Sequence, residues 1–455
     1  MGAPSVNLKQ IIGKLTKNVD KVALRQSALF YLPSLATTIV TFLLFSILRD
    51  FNPGELNKLQ VIIMASVILS LVIVAGMQIL INRVVGDARG AEAQINQKAH
   101  AIGFIRLAAI LSGILSIAIA AILYPFFIGV IHLTNLEFFY FVILFIVYSQ
   151  IWILTAAFWA WGLYKYPAII YILCYLIMFV LSYIGYRLSP VNFMIGYIGG
   201  LALLLALLSI FSLSVFRIEQ KPQGLWKVLQ TLPKLITKEY WGILFQTFFI
   251  LAIFLDKIIV WISEGIKAGN GFQIVGIYTT GAFLGLIPAF SLVVLAYFTE
   301  KVRPLSKKMY TGTLNQIRNQ IGEYKRLYKI GLVTMLCVGF ILLVIVVGLS
   351  QIIIGDPKVT AIALTIATGV LFFEVILFNA FILPIFHRSH ISAIAMLVIC
   401  LGEAGTSVLV PKDVWFASLG FLGGSIIGFL ISYFTTRKLL SEFDYNAFHA
   451  FQMDN

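Results

Sequence analysis

The sequence predicts an all-α integral membrane protein with about twelve transmembrane helices. Three observations support this prediction: the 455 residues are 60% hydrophobic, only 11% of them are charged, and the mean hydropathy is +0.98. Soluble domains are usually about 45–50% apolar and about 25% charged. Because so many apolar residues cannot be buried inside a soluble globule, typical soluble enzymes, disordered chains and nucleic-acid-binding proteins are excluded.

A transmembrane helix needs about 20 mostly apolar residues, and twelve segments meet this requirement. They lie near residues 28–48, 60–82, 104–125, 138–161, 167–186, 193–215, 241–262, 273–299, 327–349, 359–386, 391–409 and 415–434. No segment between them is long enough for a soluble domain.

The distribution of Lys and Arg predicts that both termini are cytoplasmic. With a cytoplasmic N-terminus, the inside segments carry 26 of the 33 Lys and Arg residues, the outside loops carry 6, and Lys257 lies within a span. Cytoplasmic loops of membrane proteins carry such an excess of positive charge. The net charge of +14 therefore reflects topology rather than nucleic-acid binding.

The twelve spans divide into two sets of six. In each set the longest basic loop follows the second span, at residues 83–103 and 300–326, which predicts a duplicated unit like that of many transporters. The expected organisation is a cytoplasmic amphipathic helix at 1–27, a six-helix bundle at 28–215, a cytoplasmic linker at 216–240, a second six-helix bundle at 241–434 and a cytoplasmic tail at 435–455.

The N-terminal segment is predicted to lie as an amphipathic helix on the anionic cytoplasmic leaflet. Its apolar residues recur at helical spacing: Leu8, Ile11, Ile12, Leu15, Val19 and Val22. A tail that only follows the positive-inside rule is the alternative.

Several segments carry a resemblance to a known family. They are the C-terminal segment 442–448 with Gln452, the segment 255–261 with its Asp256-Lys257 pair, the Gly-rich segment 196–199, and Pro288 with its neighbours followed by Phe298, Glu300 and segment 312–317. These segments, in register over nearly the whole chain, resemble the PelG-like exopolysaccharide (Pel) exporters. That family belongs to the multidrug/oligosaccharidyl-lipid/polysaccharide (MOP) exporter superfamily.

The resemblance implies two pseudo-symmetric six-helix bundles around a central cavity, a MOP/MATE-like fold, in the bacterial cytoplasmic (inner) membrane. It implies export of a Pel-like exopolysaccharide or its lipid-linked precursor. The implied partners are a cytoplasmic glycosyltransferase (PelF-like) and membrane proteins (PelD/PelE-like). Two mechanisms are compatible with this function: alternating access driven by an H+ or Na+ gradient, and a conduit driven by polymerisation. A cation-coupled small-molecule exporter and a scaffold of a polysaccharide synthase complex are the alternative functions.

Ionisable groups within a span cost about 2.5–3.5 kcal/mol on insertion scales and are expected to face protein or water. Glu374 lies near the middle of the tenth span, where it is a candidate for cation coupling or for binding sugar hydroxyls. The alternative is a structural role, in which it forms a hydrogen bond to a neighbouring helix. Asp256 and Lys257 lie in the seventh span. Because adjacent helical residues point about 100° apart, we expect them not to pair, with one facing the cavity and the other the interface. Asp256, like Glu374, is a candidate coupling carboxylate, and a charge clamp that ties two helices together is the alternative.

Two further charged residues are candidates with simpler alternatives. Glu403 in the eleventh span lies between Gly402 and Gly405, which favours a structural role in close helix packing. Arg106 begins the third span on the cytoplasmic side. It is a candidate for a lipid pyrophosphate or an anionic glycosyl donor, although the positive-inside rule explains it more simply.

The fourth span carries an aromatic stripe whose steps of 4, 3, 4 and 7 residues place its members on one helix face: Phe141, Phe145, Tyr148, Trp152 and Trp159. Aromatic faces stack on the C–H faces of sugar rings, so the stripe is a candidate path for a neutral glycan. Helix packing or lipid contact is the alternative.

Candidate hinges are Pro33 in the first span and Gly281, Gly285 and Pro288 in the eighth. Proline removes a backbone donor and kinks a helix, which suits a protein that opens alternately, although such residues also occur in static membrane helices.

No catalytic or metal-binding pattern is present in the sequence. The histidines lie in loops or the tail, and the three cysteines fall in separate apolar runs. We therefore expect neither enzymatic activity nor a resident metal or cofactor, and H+ or Na+ is the only coupling ion considered.

Overall fold

The computed structural model describes residues 53–88, 95–215, 223–267, 275–295, 314–383 and 388–442, and the single residues Thr37, Val40, Leu44 and Phe298. Eleven helices in this part of the chain are long and apolar enough to cross a membrane. They coincide with the second to twelfth expected spans, and no strand occurs among the described residues. The expected interfacial helix at 1–27, Pro33 and residues 443–455 of the tail lie outside the described residues.

The helices follow one another with short connections. They are α1 (Pro53–Ala88), α2 (Ile95–Gly129), α3 (Asn135–Ala160), α4 (Lys165–Leu188), α5 (Pro190–Val215), α6 (Leu225–Lys267), α7 (Gly276–Gly285), α8 (Leu314–Leu349), α9 (Pro357–Ala380), α10 (Ser389–Thr406) and α11 (Trp415–Ser441). A 3₁₀ segment, Ile287–Leu292, continues α7, and a π turn, Ser350–Ile354, ends α8.

Several helices extend beyond the apolar stretch that predicted them. The 43-residue α6 begins at Leu225, inside the expected linker, and α11 runs to Ser441, inside the expected tail. At about 1.5 Å per residue, α6 is roughly twice as long as the hydrocarbon core of a bilayer is thick. Hydropathy detects only the embedded part of such a helix, because Lys and Glu favour helix formation without being apolar.

Two large hydrophobic cores of the described residues organise the packing. One contains buried side chains between Val40 and Val228, and the other contains most of those between Ala252 and Leu440 together with two side chains of α1. A small cluster of Val346, Ala363 and Ala367 is separate from both. In the first, α3 packs on α1 and α5, and α4 packs on α5; in the second, α9 packs on α7 and α11, and α10 packs on α11. This repeated order of contacts is the one that two pseudo-symmetric bundles predict, and α1 packs on α6 where they meet.

Ion pairs join residues that the predicted topology places on the same side of the membrane. Lys58 pairs with Glu137 at 3.6 Å, and Lys358 lies 3.8 Å from Asp413, all four at expected outer ends. Arg83 and Glu239, at expected inner ends, are 3.6 Å apart. These pairs agree with the alternation of the spans, and the cytoplasmic location of the termini stays a prediction.

Candidate functional site

Buried charge is confined to one half of the described structure. Asp256, Lys257, Glu374 and Glu403 are the buried charged side chains among the described residues, and all belong to helices α6 to α11. The buried polar side chains of α1 to α5 are serines and threonines, joined by the hydroxyls of buried tyrosines. The two halves therefore differ in electrostatics while sharing a packing order.

Asp256 and Lys257 form a buried ion pair on α6. The Lys257 Nζ donates to Asp256 Oδ1 at 2.9 Å and to the Ile253 carbonyl oxygen at 2.7 Å, and both charged side chains are about 2% exposed. The expectation that these neighbours would not pair is wrong, as is the expectation that one would reach the interface. The four-carbon stem of lysine lets the ammonium bend back along the helix, and a buried carboxylate without a partner is strongly unfavourable.

Tyr278, which the sequence analysis did not single out, completes this pair. Its hydroxyl donates to Asp256 Oδ2 at 2.8 Å from the neighbouring helix α7. Tyr278 precedes Gly281 and Gly285 by three and seven residues, so the three share one helix face. That spacing was the sequence feature from which Tyr278 could have been identified as part of a packed helix face. Nothing in the sequence, however, indicates that this face contacts α6.

Glu403 lies on α10 close to the same pair. It is buried, neither carboxyl oxygen has a hydrogen-bond partner among the described residues, and it lies within electrostatic range of Asp256 and Lys257. The adjacent Gly402 packs closely on α11, since a Cβ there would lie 2.8 Å from the Gly420 carbonyl oxygen. The close helix contact therefore depends on Gly402, whereas the Glu403 carboxyl group lies near the ion pair.

Glu374 is fully buried in the last third of α9. The expected position near the middle of the span is wrong, because the helix ends at Ala380, shortly before Pro384, which disfavours helix in the residues leading to it. Neither carboxyl oxygen forms a hydrogen bond of good geometry with the described residues, and the Ser291 hydroxyl is the polar group beside them. A Cβ at Gly339 on α8 would be 3.0 Å from Oε2.

The candidate hinges of the eighth span have different surroundings. Pro288 lies in the first turn of the 3₁₀ segment, where the α-helix stops. Gly281 and Gly285 are packing residues of α7, because a Cβ at either would lie within 3.0 Å of Ile362 or Ile366 on α9. Small residues four apart allow membrane helices this close approach. Hinge motion stays a prediction, now centred on the break that places Ser291 beside Glu374.

The aromatic stripe of α3 lies in the first hydrophobic core. Phe141, Phe145 and Tyr148 are at most 1% exposed, Trp152 is 8% exposed, and Trp159 is half-buried. The Tyr148 hydroxyl lies 2.5 Å from that of Tyr197 on α5, and the Trp152 Nε1 donates to Ser70 Oγ on α1 at 3.1 Å. In this conformation the stripe faces neighbouring helices.

Arg106 is exposed near the start of α2 and lines a cavity of about 420 Å³. The other lining residues are Ala109, Ile110, Gln223, Gly224 and Leu225. No group of three or more metal-binding side chains occurs in the described part of the chain.

The fold is similar to that of solved MATE transporters. A mutant of the Vibrio cholerae MATE transporter VcmN matches with a TM-score of 0.68 at 13% identity, covering 94% of this chain and 98% of its own. An outward-facing multidrug resistance MATE family transporter of the MOP superfamily matches with a TM-score of 0.62 at 12% identity, covering 93% and 96%.

A MOP superfamily transporter from Pyrococcus furiosus, described as having a binding pocket of reverse polarity, matches with a TM-score of 0.62 at 14% identity, covering 92% and 96%. At these identities the likeness shows the fold alone. No curated protein sequence matches the chain.

The sequence matches the family model of PelG, the exopolysaccharide exporter family EPS-E, over residues 27–448. This match spans all eleven described helices and both of the hydrophobic cores. The multi-pass membrane protein described here therefore belongs to the PelG exopolysaccharide exporter family, and its fold is that of the MATE transporters of the MOP superfamily.

Proposed function

We propose that this protein exports an exopolysaccharide of the Pel type, or its lipid-linked precursor, across the cytoplasmic membrane between its two bundles. The division of buried charge is the observation that carries the proposal. Buried hydroxyls and aromatic rings occur in both halves of the described structure, whereas every buried charge of the described residues belongs to α6 to α11. One half is suited to a neutral glycan and the other to a cation.

The half without buried charge among the described residues, α1 to α5, supplies the glycan contacts in this proposal. Tyr148, Tyr197 and Trp152 offer flat apolar faces with polar edges, which is the combination that stacks on sugar rings and bonds their hydroxyls. They bond to each other or to Ser70 in this conformation, so the hydroxyls exchange these partners for sugar hydroxyls when α1, α3 and α5 separate. Without a buried charge nearby, a long polymer slides without being held.

The charged half supplies ion coupling. Glu374 is the first choice, because its carboxyl oxygens have no hydrogen-bond partner among the described residues and therefore need a proton or a Na+ ion. Asp256 is a weaker choice than the sequence suggested, since Lys257 already neutralises it. Movement at the 3₁₀ segment changes the distance from Ser291 to Glu374 and so links ion binding to the shape of the eighth span.

The partners follow from the proposed direction of transport. A cytoplasmic glycosyltransferase, PelF-like, delivers the polymer at the basic inner face, and PelD/PelE-like membrane proteins hold the assembly together. The excess of Lys and Arg in the expected inner segments supports an orientation with both termini in the cytoplasm of a bacterial cell. The proposal requires no enzymatic activity and no resident cofactor of this chain.

The test compares Glu374→Gln with Glu323→Gln, an exposed carboxyl on α8, in cells that lack the native gene. Secreted polymer is measured against the amount of protein in the membrane. We expect Glu374→Gln to lower secretion at least tenfold at normal protein level and Glu323→Gln to leave it unchanged. Normal secretion from Glu374→Gln, with secretion that also resists a protonophore and Na+ removal, would instead favour a conduit driven by polymerisation.

Small-molecule extrusion is the second candidate, because the solved structures with this fold include a multidrug resistance transporter. A drug-resistance assay in a pump-deficient strain distinguishes the two. Resistance without any change in secreted polymer favours extrusion. If Glu374→Gln and Tyr148→Phe both secrete normally while changes in the inner loops abolish secretion, the protein acts as a scaffold of the synthase complex.

A further inference from the structure

The cavity beside Arg106 is a built feature of the junction between α2 and α6. The Gln223 backbone N–H donates to the Ala99 carbonyl oxygen at 3.3 Å, and its side-chain Oε1 lies 2.7 Å from His100 Nδ1. A Cβ at Gly103 would lie 2.9 Å from the Gln223 carbonyl oxygen, so the backbone is seated directly on α2. The buried Val228 packs at the same place, which fixes the start of α6 against α2.

The lining of this cavity is amphiphilic. Arg106 provides a guanidinium group that forms no ion pair within the described ranges, whereas Ala109, Ile110 and Leu225 provide an aliphatic wall. Ile110 is 47% exposed and Leu225 is 43% exposed, so the wall opens to the surroundings of the helices. Guanidinium binds phosphate oxygens in a bidentate manner, and an aliphatic wall beside it suits a hydrocarbon chain.

The exposed side chains around the cavity are of the kinds found where a helix enters the bilayer. Beyond Arg106, α2 exposes large apolar side chains along its length, including Ile114 and Ile117, as a lipid-facing helix does. On α6, Trp226 is 70% exposed and is followed by the exposed Lys227. Exposed Trp and Lys at such a level are typical of the interface with lipid head groups. Positive charge there favours anionic lipids of the cytoplasmic leaflet.

We propose that this cavity binds an anionic glycerophospholipid, with the phosphate on Arg106 and an acyl chain along Ala109 and Ile110. The lipid site does not depend on the proposed export function. A lipid bound there contacts α2 and the start of α6, which pack together in the first core around Val228. It therefore acts as a structural ligand at the junction of α2 and α6.

The experiment is native mass spectrometry of the full-length protein released from micelles that contain phosphatidylglycerol or phosphatidylcholine. We expect the wild type to retain phosphatidylglycerol in preference to phosphatidylcholine, and Arg106→Gln to lower the retained fraction at least tenfold. Arg83→Gln is the matched control, because Arg83 lies on the same side but is already paired with Asp87 and Glu239. Gel filtration establishes that each variant remains folded.

Two results would overturn the proposal. Equal retention of phosphatidylglycerol by the wild type and Arg106→Gln shows that this arginine binds no lipid phosphate. The second result has two parts: millimolar inorganic phosphate displaces the bound lipid, and Ile110→Asn retains lipid like the wild type. Together they show a site for free anions to which the aliphatic wall does not contribute. Loss of lipid from Ile110→Asn, with no displacement by phosphate, supports the lipid site.

Discussion

At the scale of single residues, the buried charges divide into satisfied and unsatisfied groups. Lys257 directs its ammonium to Asp256 and to the Ile253 carbonyl oxygen, so this pair is internally neutral. Glu374 and Glu403 have carboxyl oxygens without a partner among the described residues. A buried pair is robust only while both members remain, whereas a lone buried carboxyl is most stable when it is neutral.

Replacing Lys257 by Met is expected to destabilise the protein by about 3–5 kcal/mol, because Asp256 then keeps the bond from the Tyr278 hydroxyl but has lost the ammonium that neutralises its buried charge. The measurement is thermal unfolding of the purified protein in detergent. Asp256→Asn combined with Lys257→Met is expected to recover most of the loss. Lys267→Met, which removes an exposed pair with Glu264, is the control. Equal destabilisation by the single and double variants would contradict this account.

Replacing Trp152 by Ala is expected to cost about 3–5 kcal/mol, because the side chain is buried in the first core and leaves a cavity. The amount of protein in the membrane should fall with it, so a loss of secretion in this variant reports stability. Trp152→Phe keeps most of the volume and loses chiefly the bond to Ser70, at about 1 kcal/mol. Comparing secretion per folded molecule between these two variants distinguishes the effect of Trp152 on packing from a direct contact with the glycan. Equal stability of the two variants would contradict the packing role.

At the scale of elements, the eighth span combines a rigid contact with a break. Gly281 and Gly285 bring α7 against α9, and the helix then changes to a 3₁₀ segment that begins near Pro288. The segment carries Ser291 towards Glu374. The glycines thus fix the first half of this span against α9, and movement of the second half relative to α8 and α9 stays a prediction.

Gly285→Leu is expected to destabilise the protein by about 1–3 kcal/mol or more, since even a Cβ at this position would lie 2.7 Å from that of Ile366. Gly276→Leu is the matched control on the same helix, because no atom of the described residues contacts the Cβ position there within 4 Å. Thermal unfolding measures both. A Gly285→Leu protein as stable as Gly276→Leu would show that α7 and α9 are not held together at this contact.

At the scale of the whole molecule, the two halves repeat one order of helix contacts but differ in buried charge. Among the described residues, the ion pairs between distant helices join positions that the predicted topology assigns to the same side, as for Arg83 with Glu239 and Lys358 with Asp413. The repeated packing order supplies the scaffold, and the residues that differ between the halves supply the division of labour that we propose.

The topology predicts which loops face the outside. Single cysteines introduced at Lys358 or Lys412, in an otherwise cysteine-free protein, are expected to react with a membrane-impermeant maleimide in intact cells. Cysteines at Lys98 or Lys438 are expected to react only after the membrane is permeabilised. Labelling yield on gels is the readout. The reverse pattern would place both termini outside the cytoplasm.

The sequence by itself determined the membrane class, the positions of eleven described spans and the family. Hydrophobic length and short motifs are local properties of the sequence. An apolar segment in a bilayer adopts a helix, because its backbone polar groups must then hydrogen-bond within the segment. It also indicated the buried ionisable residues, because any charge within an apolar run is exceptional.

Only the tertiary structure decided how those residues meet. Whether Lys257 bends back to Asp256, whether Tyr278 reaches the same carboxylate, and whether Glu374 and Glu403 find a partner depend on which faces of helices distant in sequence pack together. Helix ends such as Leu225 and Ala380 were displaced from the predicted span ends for a related reason. Hydropathy reports the thickness of the bilayer, whereas helix ends are set by backbone hydrogen bonding, proline and packing beyond it.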